Sequence, residues 1–181
     1  MLKEKTTYVI TIMVLLMFFS PDSLSYNNQK KETKNIEKVH LLTKIIKENN
    51  FKVPSEIAFT ISETIFKLTE KEEFSPLLIA SIVYVESNFN PFAVSSTGAR
   101  GLGQIQIKVH KEVNILQVHD IEYNIANSIR ILKDKMRITN SLEEALLKYS
   151  GFSKNPKKGD KYIEKVFTFW NLLYKEFQYL S

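Results

Sequence analysis

Apolar residues recur every three or four positions along most of the chain, which is the periodicity of one face of an α-helix. This pattern predicts a series of helices joined by short polar connections, with no internal repeat and no long strand. The predicted helices cover residues 36–46, 57–68, 77–87, 121–136, 141–151 and 162–173. We therefore expect a mainly α-helical fold.

Several predicted helices begin with residues that favour a helix start. Ser75 is followed by Pro76, which suits an N-cap and the first helical position. Asp120 can cap the next long helix, and Ser141 with Glu144 forms a capping box. The helix at residues 77–87 is apolar almost all round, which is typical of a buried central helix.

The loop after that central helix is rich in glycine. Gly98, Gly101 and Gly103 lie close together, and glycine permits positive φ angles and a close approach of a ligand to the backbone. The only sheet we expect is a small ribbon within residues 92–106. The predicted architecture is therefore mainly α, with a small β-ribbon or irregular loop.

The N-terminal segment has the pattern of an export signal. Lys3 and Lys5 precede an apolar run over residues 8–19, which is too short for a comfortable membrane span. Small residues at Ser23 and Ser25 predict cleavage after Ser25, and the alternative is an uncleaved anchor. We expect an exported protein of the periplasm or cell envelope. Its domains are a signal peptide at 1–25, a flexible lead-in at 26–35 and one folded domain at 36–181.

Composition narrows the chemistry. The net charge is +5 and the pI is about 9.2, which suits an acidic polymer such as nucleic acid, anionic lipid or bacterial cell wall. The chain has no cysteine, which excludes disulfides and thiol catalysis. The histidines lie far apart, and Lys157 with Lys158 forms only a small basic patch. We expect no metal, no cofactor, no nucleic-acid partner, and a monomer.

Glu86 is the strongest candidate for chemistry. It follows an almost unbroken apolar run that includes Ile79, Ile82 and Val83. Apolar surroundings disfavour the ionised carboxylate and therefore raise its pKa. A carboxyl group still protonated near neutral pH is what protonation of a glycosidic oxygen requires. The alternative is that Glu86 merely ends its helix and faces solvent.

Hydroxyl and amide side chains crowd the following segment, and such neutral groups bind sugars together with aromatic faces. The polar candidates are Ser95, Ser96, Thr97, Gln104 and Gln106. The aromatic candidates are Phe89, Phe92, Tyr149, Phe152 and Tyr162. The alternative is that the polar residues only keep a loop solvated and the aromatic residues only fill the core.

No second carboxylate accompanies Glu86. The next acid along the chain is Glu112, while Asp120 and Glu122 have the positions of a helix cap and a dipole partner. One acid can still suffice if the substrate supplies its own nucleophile. Glu86 would protonate the leaving oxygen and then, as the carboxylate, deprotonate a hydroxyl of the same sugar, giving an internal anhydro ring.

The segment "ESNFNPFAVSSTGARGLGQIQ" resembles the motif of the soluble-type lytic transglycosylases, which have a goose-lysozyme-like fold. The positions that match in register are Glu86, Ser87, Asn90, Pro91, Ala93, Ser95, Gly98, Ala99, Gly101, Leu102, Gln104 and Ile105. Two later segments also match. They are "EYNIANSIRIL", with Asn124 and Ile125, and "ALLKYSGF" with the "YIEKV" that begins at Tyr162. The resemblance covers roughly residues 72–170 and implies a lysozyme-like (α+β) domain whose loop lines an active-site cleft.

The resemblance also implies an activity. It implies cleavage of the β-1,4 bond between N-acetylmuramic acid and N-acetylglucosamine in peptidoglycan, with a 1,6-anhydro product. Glu86 then matches the catalytic acid and base, and Ser95 and Gln104 match cleft positions that bind glycan. Tyr149 matches a tyrosine that hydrogen-bonds the catalytic carboxylate. Gln106 and Tyr162 are further expected substrate contacts, and Ser87, Gly101 and Asn124 are expected supporting residues.

The chain departs from the family pattern at three positions of the expected cleft. Gly103 stands where the family usually has methionine, and Gln106 where it often does. Ser150 replaces an asparagine. The methionine replacements alter an apolar wall of the expected cleft, and Ser150 removes an amide that could bond substrate. None of the three changes Glu86.

Two other interpretations stay open. A lysozyme-like hydrolase would use water as nucleophile, with Asp120 as its base. A catalytically weak glycan-binding factor would use the fold to dock an assembly at the cell wall. The expected partners are peptidoglycan glycan strands, and a secretion, conjugation or flagellar apparatus is the further candidate.

Overall fold

The computed structural model describes residues 21–180, with side chains from residue 29 onward. Most of the predicted signal segment, residues 1–20, lies outside the described residues. The chain divides into two compact units, residues 1–37 and 38–181. The described part of the first unit is helical, including the segment 26–35 that the sequence predicts as a flexible lead-in.

The described residues form six α-helices and one two-stranded ribbon, and their bounds follow in chain order. They are α1 (Pro21–Asn49), α2 (Ser55–Lys71), α3 (Pro76–Ser87), β1 (Ala99–Arg100), β2 (Ile105–Gln106), α4 (Ile121–Met136), α5 (Leu142–Ser150) and α6 (Pro156–Gln178). Within residues 21–180, none of these helices combines the length and the apolar content needed to cross a bilayer. The fold is the mainly helical, lysozyme-like type that the sequence predicts.

The predicted caps at Ser75, Asp120 and Ser141 are confirmed, but the capping box is not closed, because Glu144 accepts from the Asn140 amide and not from that of Ser141. The Ser75 hydroxyl accepts a hydrogen bond from the Leu78 amide, and Asp120 caps α4 in the same way. Ser141 caps α5, which ends at Gly151 in a left-handed conformation. These side chains satisfy amides that lack partners inside their helices, so the sequence sets where each helix begins.

Helix α3 is the central helix of the second unit. It packs against α2 and α6, while α4 packs against α2 and α5. Ile79, Ile82 and Val83 are at most 1% exposed, so α3 is buried over much of its circumference. Its C-terminal end, where Glu86 lies, is held from several sides by packed helices.

The ribbon and the loop after it form a smaller layer. Ala99 pairs with Gln106, and Arg100 pairs with Ile105, in antiparallel register. Ile105 packs in a second apolar cluster that also contains Val113, Val118 and Ile131. Because Ile131 belongs to α4, this cluster fixes the ribbon against that helix. The small ribbon predicted within residues 92–106 is confirmed.

Candidate active site

Glu86 lies in the last turn of α3 and is partly buried. The backbone turns sharply just beyond it, since Asn88 and Phe89 both have positive φ angles. The Tyr162 hydroxyl, on α6, donates a hydrogen bond of 2.8 Å to Glu86 Oε1. The packing of α3 against α6 therefore fixes the position of the carboxyl group.

Burial raises the pKa of Glu86 to about 7, and the hydrogen bond from Tyr162 opposes part of that rise. Removal of water destabilises the charged carboxylate more than the neutral acid, whereas the hydroxyl stabilises the charged form. With a pKa of about 7, Glu86 can hold a proton near neutral pH and can also release it. The rise in pKa that the sequence predicts is confirmed.

A cleft of about 370 Å³ opens beside Glu86. The ribbon side contributes polar residues, which are Ser95, Thr97, Gln104 and Gln106. The opposite side comes from α4, α5 and the turn that follows, and includes Ile131, Lys135, Lys148, Tyr149, Ser150 and Phe152. Among the described residues Glu86 is the only acid that lines the cleft, as expected from the acid-free loop.

A larger groove, of about 540 Å³, lies between α3 and α6. Its charged lining residues are Lys161, Glu164 and Lys165, and its floor includes Tyr84 and Phe169. Tyr84 and Phe169 stack with ring centroids 3.8 Å apart, so this floor is part of the core packing. We place the active site in the smaller cleft because it contains the carboxyl group with the raised pKa.

Gln104 lines the cleft in a fixed orientation. Its φ angle is +48°, which is unusual for a residue other than glycine. Its amide nitrogen donates to the carbonyl oxygens of Ala93 and Gly101, at 3.2 and 3.0 Å. Both donors are therefore used inside the protein, and the amide oxygen is the part of this side chain left to accept a hydrogen bond from a ligand.

The side-chain amide of Gln106 is also hydrogen-bonded through its nitrogen only. Its amide nitrogen donates to the Thr97 carbonyl oxygen at 3.2 Å. Its amide oxygen is buried without a hydrogen-bond partner among the described residues. An unsatisfied buried acceptor costs about 1–3 kcal/mol, and this oxygen has almost no surface that a ligand in the cleft could reach.

Ser95 lines the same wall but its hydroxyl is engaged locally. The hydroxyl oxygen accepts a hydrogen bond of 2.9 Å from the Ala99 amide and lies 3.0 Å from the Thr97 hydroxyl. The Ser95 amide donates to the Ala99 carbonyl oxygen as well. Ser95 thus shapes the turn that leads into the ribbon.

The structure corrects the expected role of Tyr149. Its hydroxyl donates to the Gly103 carbonyl oxygen at 2.8 Å, whereas Tyr162 supplies the hydrogen bond to Glu86. The prediction that Tyr149 hydrogen-bonds the carboxylate is therefore wrong. Tyr149 still lines the cleft, and the proximity of the Glu86 charge, after burial, helps to raise the pKa of the phenol.

The bare backbone of Gly103 explains this arrangement. A Cβ atom at Gly103 would lie 1.9 Å from the Ser128 hydroxyl and 2.7 Å from the Tyr149 hydroxyl. Both distances are far shorter than real contacts of a Cβ atom. The space beside Gly103 is therefore occupied by two hydroxyl groups, and Tyr149 bonds the Gly103 carbonyl oxygen there.

Asn124, the expected supporting residue on α4, bonds the backbone of the loop that leads from β1. Its side chain is 1% exposed. Its oxygen accepts from the Gly103 amide at 2.8 Å, and its nitrogen donates to the carbonyl oxygens of Val118 and Arg100 at 2.7 and 3.2 Å. Gly101 packs against this side chain, with no room for a Cβ atom. Asn124 therefore connects α4 to the backbone of residues 100–103 and to that of residue 118.

Of the remaining predicted residues, Phe152 lines the cleft and the others do not. The Ser87 hydroxyl donates to the Val83 carbonyl within α3 and does not line the cleft. Tyr162 lies behind Glu86, 6% exposed, so its contact is with the carboxyl group. Phe89 is fully buried in the core, so the expectation that its ring offers a sugar-binding face is wrong. Phe152 lines the cleft, whereas Phe92 is exposed outside it.

The sequence did not single out Lys135, Lys148 and Ser128. Lys135 and Lys148 line the cleft but belong to separate amphipathic helices, so no local pattern joins them. Ser128 carried a signal, because it is a hydroxyl one turn after Asn124 on the same face of α4. Among the described residues, no group of histidine and acidic side chains could hold a metal ion.

The fold is lysozyme-like, and one glutamate with a raised pKa lies in its cleft. The Transglycosylase SLT domain family matches residues 63–166, which is more than half of the chain. The chain therefore belongs to the transglycosylase SLT domain family.

Individual relatives agree over shorter segments. The chain is 30% identical over 115 residues to the "Transglycosylase" of Enterobacteria phage PRD1, covering 62% of this chain and 43% of the phage protein. It is 35% identical over 66 residues to the "Membrane-bound lytic murein transglycosylase F" of Desulfosudis oleivorans, covering 36% of this chain and 14% of that protein. The same-named protein of Photobacterium profundum is 35% identical over 82 residues, which is 45% of this chain and 16% of the relative. The chain thus spans less than half the length of these relatives.

Proposed function

We propose that this chain is a peptidoglycan lytic transglycosylase that cleaves the β-1,4 bond between N-acetylmuramic acid and N-acetylglucosamine. The observation that carries the proposal is Glu86, the only acid among the described residues that lines the cleft, with a pKa of about 7. Family membership and the names of the relatives support the same reaction class.

In the first step, the protonated Glu86 donates its proton to the glycosidic oxygen, and the bond between that oxygen and C1 of N-acetylmuramic acid breaks. The electron pair of that bond leaves with N-acetylglucosamine. In the second step the Glu86 carboxylate takes the proton from the C6 hydroxyl of the same sugar, and O6 forms a bond to C1. A 1,6-anhydro ring results, Glu86 is protonated again, and no water is consumed.

Tyr162 is the positioning residue for both steps. Its hydroxyl bonds one carboxyl oxygen of Glu86, which leaves the other oxygen for the proton transfer. A hydrogen bond to the charged form stabilises the carboxylate between the two steps. Tyr162 therefore keeps Glu86 oriented and limits how far burial raises its pKa.

Gln104 supplies an acceptor to the sugar chain. Since its amide nitrogen is bonded to two backbone carbonyl oxygens, its oxygen is the part that accepts from a hydroxyl or acetamido N–H group of the substrate. Gln106 lines the same wall, but its amide oxygen is buried, so a contact with the substrate requires the side chain to turn.

The hydrolase alternative lacks its base. Asp120 caps α4 by accepting a hydrogen bond of 2.8 Å from the Tyr123 amide, and it does not line the cleft. Direct attack by water would need a second group beside the bond. The cleft therefore favours attack by the hydroxyl of the substrate itself.

Mass spectrometry of the muropeptides that the purified protein releases from peptidoglycan tests the reaction. We expect products that are lighter by one water molecule than those released by a hydrolase. Reducing ends of full mass would instead assign a hydrolase. The absence of release, with an intact fold by circular dichroism, would favour a glycan-binding role.

We also propose that the protein is exported and acts in the cell envelope, where peptidoglycan lies. Lys3, Lys5 and the apolar run at residues 8–19 support this proposal. N-terminal sequencing of the protein from the envelope fraction should begin at Tyr26. An N-terminus at Met1 in a membrane fraction would assign the uncleaved anchor. Co-purification with secretion, conjugation or flagellar components tests a partner-guided role.

A further inference from the structure

The charge around the cleft is unbalanced. Lys135 on α4 and Lys148 on α5 both line it, together with His110. Burial lowers the pKa of His110, and the Glu112 carboxylate, 3.4 Å away, opposes that shift. Glu86 is protonated up to about pH 7. The described lining residues thus include two ammonium groups and no carboxyl group besides Glu86. The Glu112 carboxylate beside His110 is paired with Arg130 at 2.8 Å.

Neither lysine takes part in an ion pair among the residues whose side chains the structure describes. Glu144 stands one turn before Lys148, the spacing at which helical ion pairs form. Its carboxylate instead accepts a hydrogen bond of 3.2 Å from the Asn140 amide. Because the Glu144 carboxylate is bonded to the backbone just before α5, it does not pair with the Lys148 ammonium group.

Lys135 is left unpaired for a different reason. Its neighbour one turn earlier on α4 is Ile131, and Thr139 lies just beyond the end of that helix; neither residue is charged. The adjacent acid, Asp134, pairs with Arg130 and Arg137 at 3.4 and 3.1 Å. The charge of Lys135 reaches the cleft, since it contributes to the lowered pKa of His110, a lining residue.

We propose that Lys135 and Lys148 form a carboxylate-binding subsite that recognises an acidic group on the N-acetylmuramic acid side of the bond. This inference rests on the proposed function, because it assumes that a muramyl glycan occupies the cleft. The carboxylate has two sources in peptidoglycan. It is the lactyl carboxylate when the glycan is free of peptide, or a carboxylate of the stem peptide when the peptide is attached.

The subsite separates this substrate from neutral polymers of the same linkage. A chitin-type chain offers hydroxyl and acetamido groups for Gln104 but no carboxylate for the lysines. Two partly exposed ion pairs are each modest in strength, so we expect them to select among substrates that already fit the cleft. The lysines therefore determine specificity and take no part in proton transfer.

The double variant Lys135→Gln/Lys148→Gln tests the proposal. The control variant is Lys154→Gln/Lys175→Gln, which removes the same charge from two exposed lysines outside the cleft. Three substrates are compared: strands with stem peptides, strands freed of peptide by an amidase, and peptide-free strands whose lactyl carboxylates have been converted to methylamides. We expect the cleft variant to raise KM roughly threefold to tenfold on carboxylate-bearing strands, with kcat unchanged and no loss on the neutral strands.

The substrate that shows the loss identifies the source. A loss on peptide-free strands that disappears on amidation assigns the lactyl carboxylate, and a loss confined to strands with peptide assigns the stem. An equal loss on neutral strands, or a loss no larger than that of the control variant, would overturn the proposal.

Binding measurements separate this inference from the proposed reaction. In the Glu86→Gln background, calorimetry with soluble strands of the three kinds should give the same ranking without any turnover. Added salt should weaken the binding of carboxylate-bearing strands and leave that of neutral strands unaltered. Anhydro products from the parent protein without this ranking would refute the subsite alone, whereas the ranking without anhydro products would refute the reaction alone.

Discussion

At the scale of the single residue, the state of one proton on Glu86 links stability to activity. The folded protein holds this proton up to a pH of about 7, whereas the unfolded chain releases it near the ordinary value of 4.5. Between these values the native state binds more protons than the unfolded state. The free energy of unfolding therefore falls as the pH rises through this window and is lowest above it.

Substitution of Glu86 by glutamine should abolish activity and increase stability at the same time. The amide cannot donate and retrieve a proton, so turnover should fall by orders of magnitude. The buried charge is removed as well, so the free energy of unfolding at pH 8 should rise by about 3 kcal/mol. Urea unfolding at pH 8 and at pH 4.5 measures the difference, which should nearly vanish at the lower pH.

A matched control is Glu63→Gln, which neutralises an exposed carboxylate on α2. It should give no comparable gain at pH 8. If Glu86→Gln behaves like this control, then the carboxylate of Glu86 carries no burial cost and its raised pKa must be abandoned.

Removal of the Tyr162 hydroxyl should move the pH profile of the reaction. The hydrogen bond from this hydroxyl lowers the pKa of Glu86, so Tyr162→Phe should raise that pKa further. The fall of kcat/KM on the basic side should then begin at a higher pH, and kcat should also decline because the carboxylate loses a stabilising partner. The control Tyr174→Phe changes an exposed tyrosine, and its profile should overlay that of the parent. A Tyr162→Phe profile that shifts to lower pH would contradict the assignment.

At the scale of secondary-structure elements, the loop that forms the cleft wall is held by α4 and α5. Asn124 bonds the loop backbone in three places, and Tyr149 bonds the Gly103 carbonyl oxygen. Ser128 fills the remaining space beside Gly103. The wall is thus built from backbone groups of the loop and side chains of two helices, which explains why a glycine is needed where they meet.

A side chain at Gly103 should push this wall out of place. We expect Gly103→Ala to lower the free energy of unfolding by about 1–3 kcal/mol, since the new methyl group overlaps two hydroxyl groups. The double variant Gly103→Ala/Ser128→Gly should recover part of the loss by making room. Chemical denaturation of the parent, both variants and the Ser128→Gly single variant measures the coupling.

Gly159→Ala is the matched control for this prediction. Its Cβ atom would meet the end of the flexible Leu147 side chain, 2.4 Å away, which can move aside. Its cost should therefore be smaller than that of Gly103→Ala. Equal costs at the two positions would argue that the space beside Gly103 adjusts freely.

At the scale of the whole molecule, the helices could be predicted well from the sequence. The residues that cap each helix and form its apolar face lie within or next to that helix. Ser75, Asp120 and Ser141 act on amides within the next few residues, so the cap signals do not depend on the rest of the fold. The choice of Glu86 as the candidate acid rested on its apolar neighbours and on the resemblance of the segment that it begins.

The contacts between distant elements could not be read from the sequence. The partner of Glu86 is Tyr162, 76 positions away, whereas the resemblance implied Tyr149. Lys135 and Lys148 likewise line one cleft only because α4 packs against α5. The N-terminal lead-in was predicted as flexible because its residues are polar, yet residues 26–35 are helical within α1.

The boundary between the two compact units leads to a prediction about truncation. The main core begins at Leu42, which lies within the second unit. A chain of residues 38–181 should therefore unfold at nearly the same temperature as residues 26–181.

A chain of residues 50–181 lacks Leu42, Ile45 and Ile46. Their loss, at about 2–5 kcal/mol each, is comparable to the whole free energy of unfolding of a domain. Thermal melts of the three chains measure this, and cooperative unfolding of the shortest chain would contradict it.

The place where α3 ends bears on the acid in one more way. The last carbonyl groups of a helix carry a partial negative charge, equivalent to about half an elementary charge. Glu86 lies within this last turn, since α3 ends at Ser87. The field of the helix therefore opposes the charge on the carboxylate and favours the neutral acid. The central helix thus holds the Glu86 carboxyl group in place and also helps to keep it protonated.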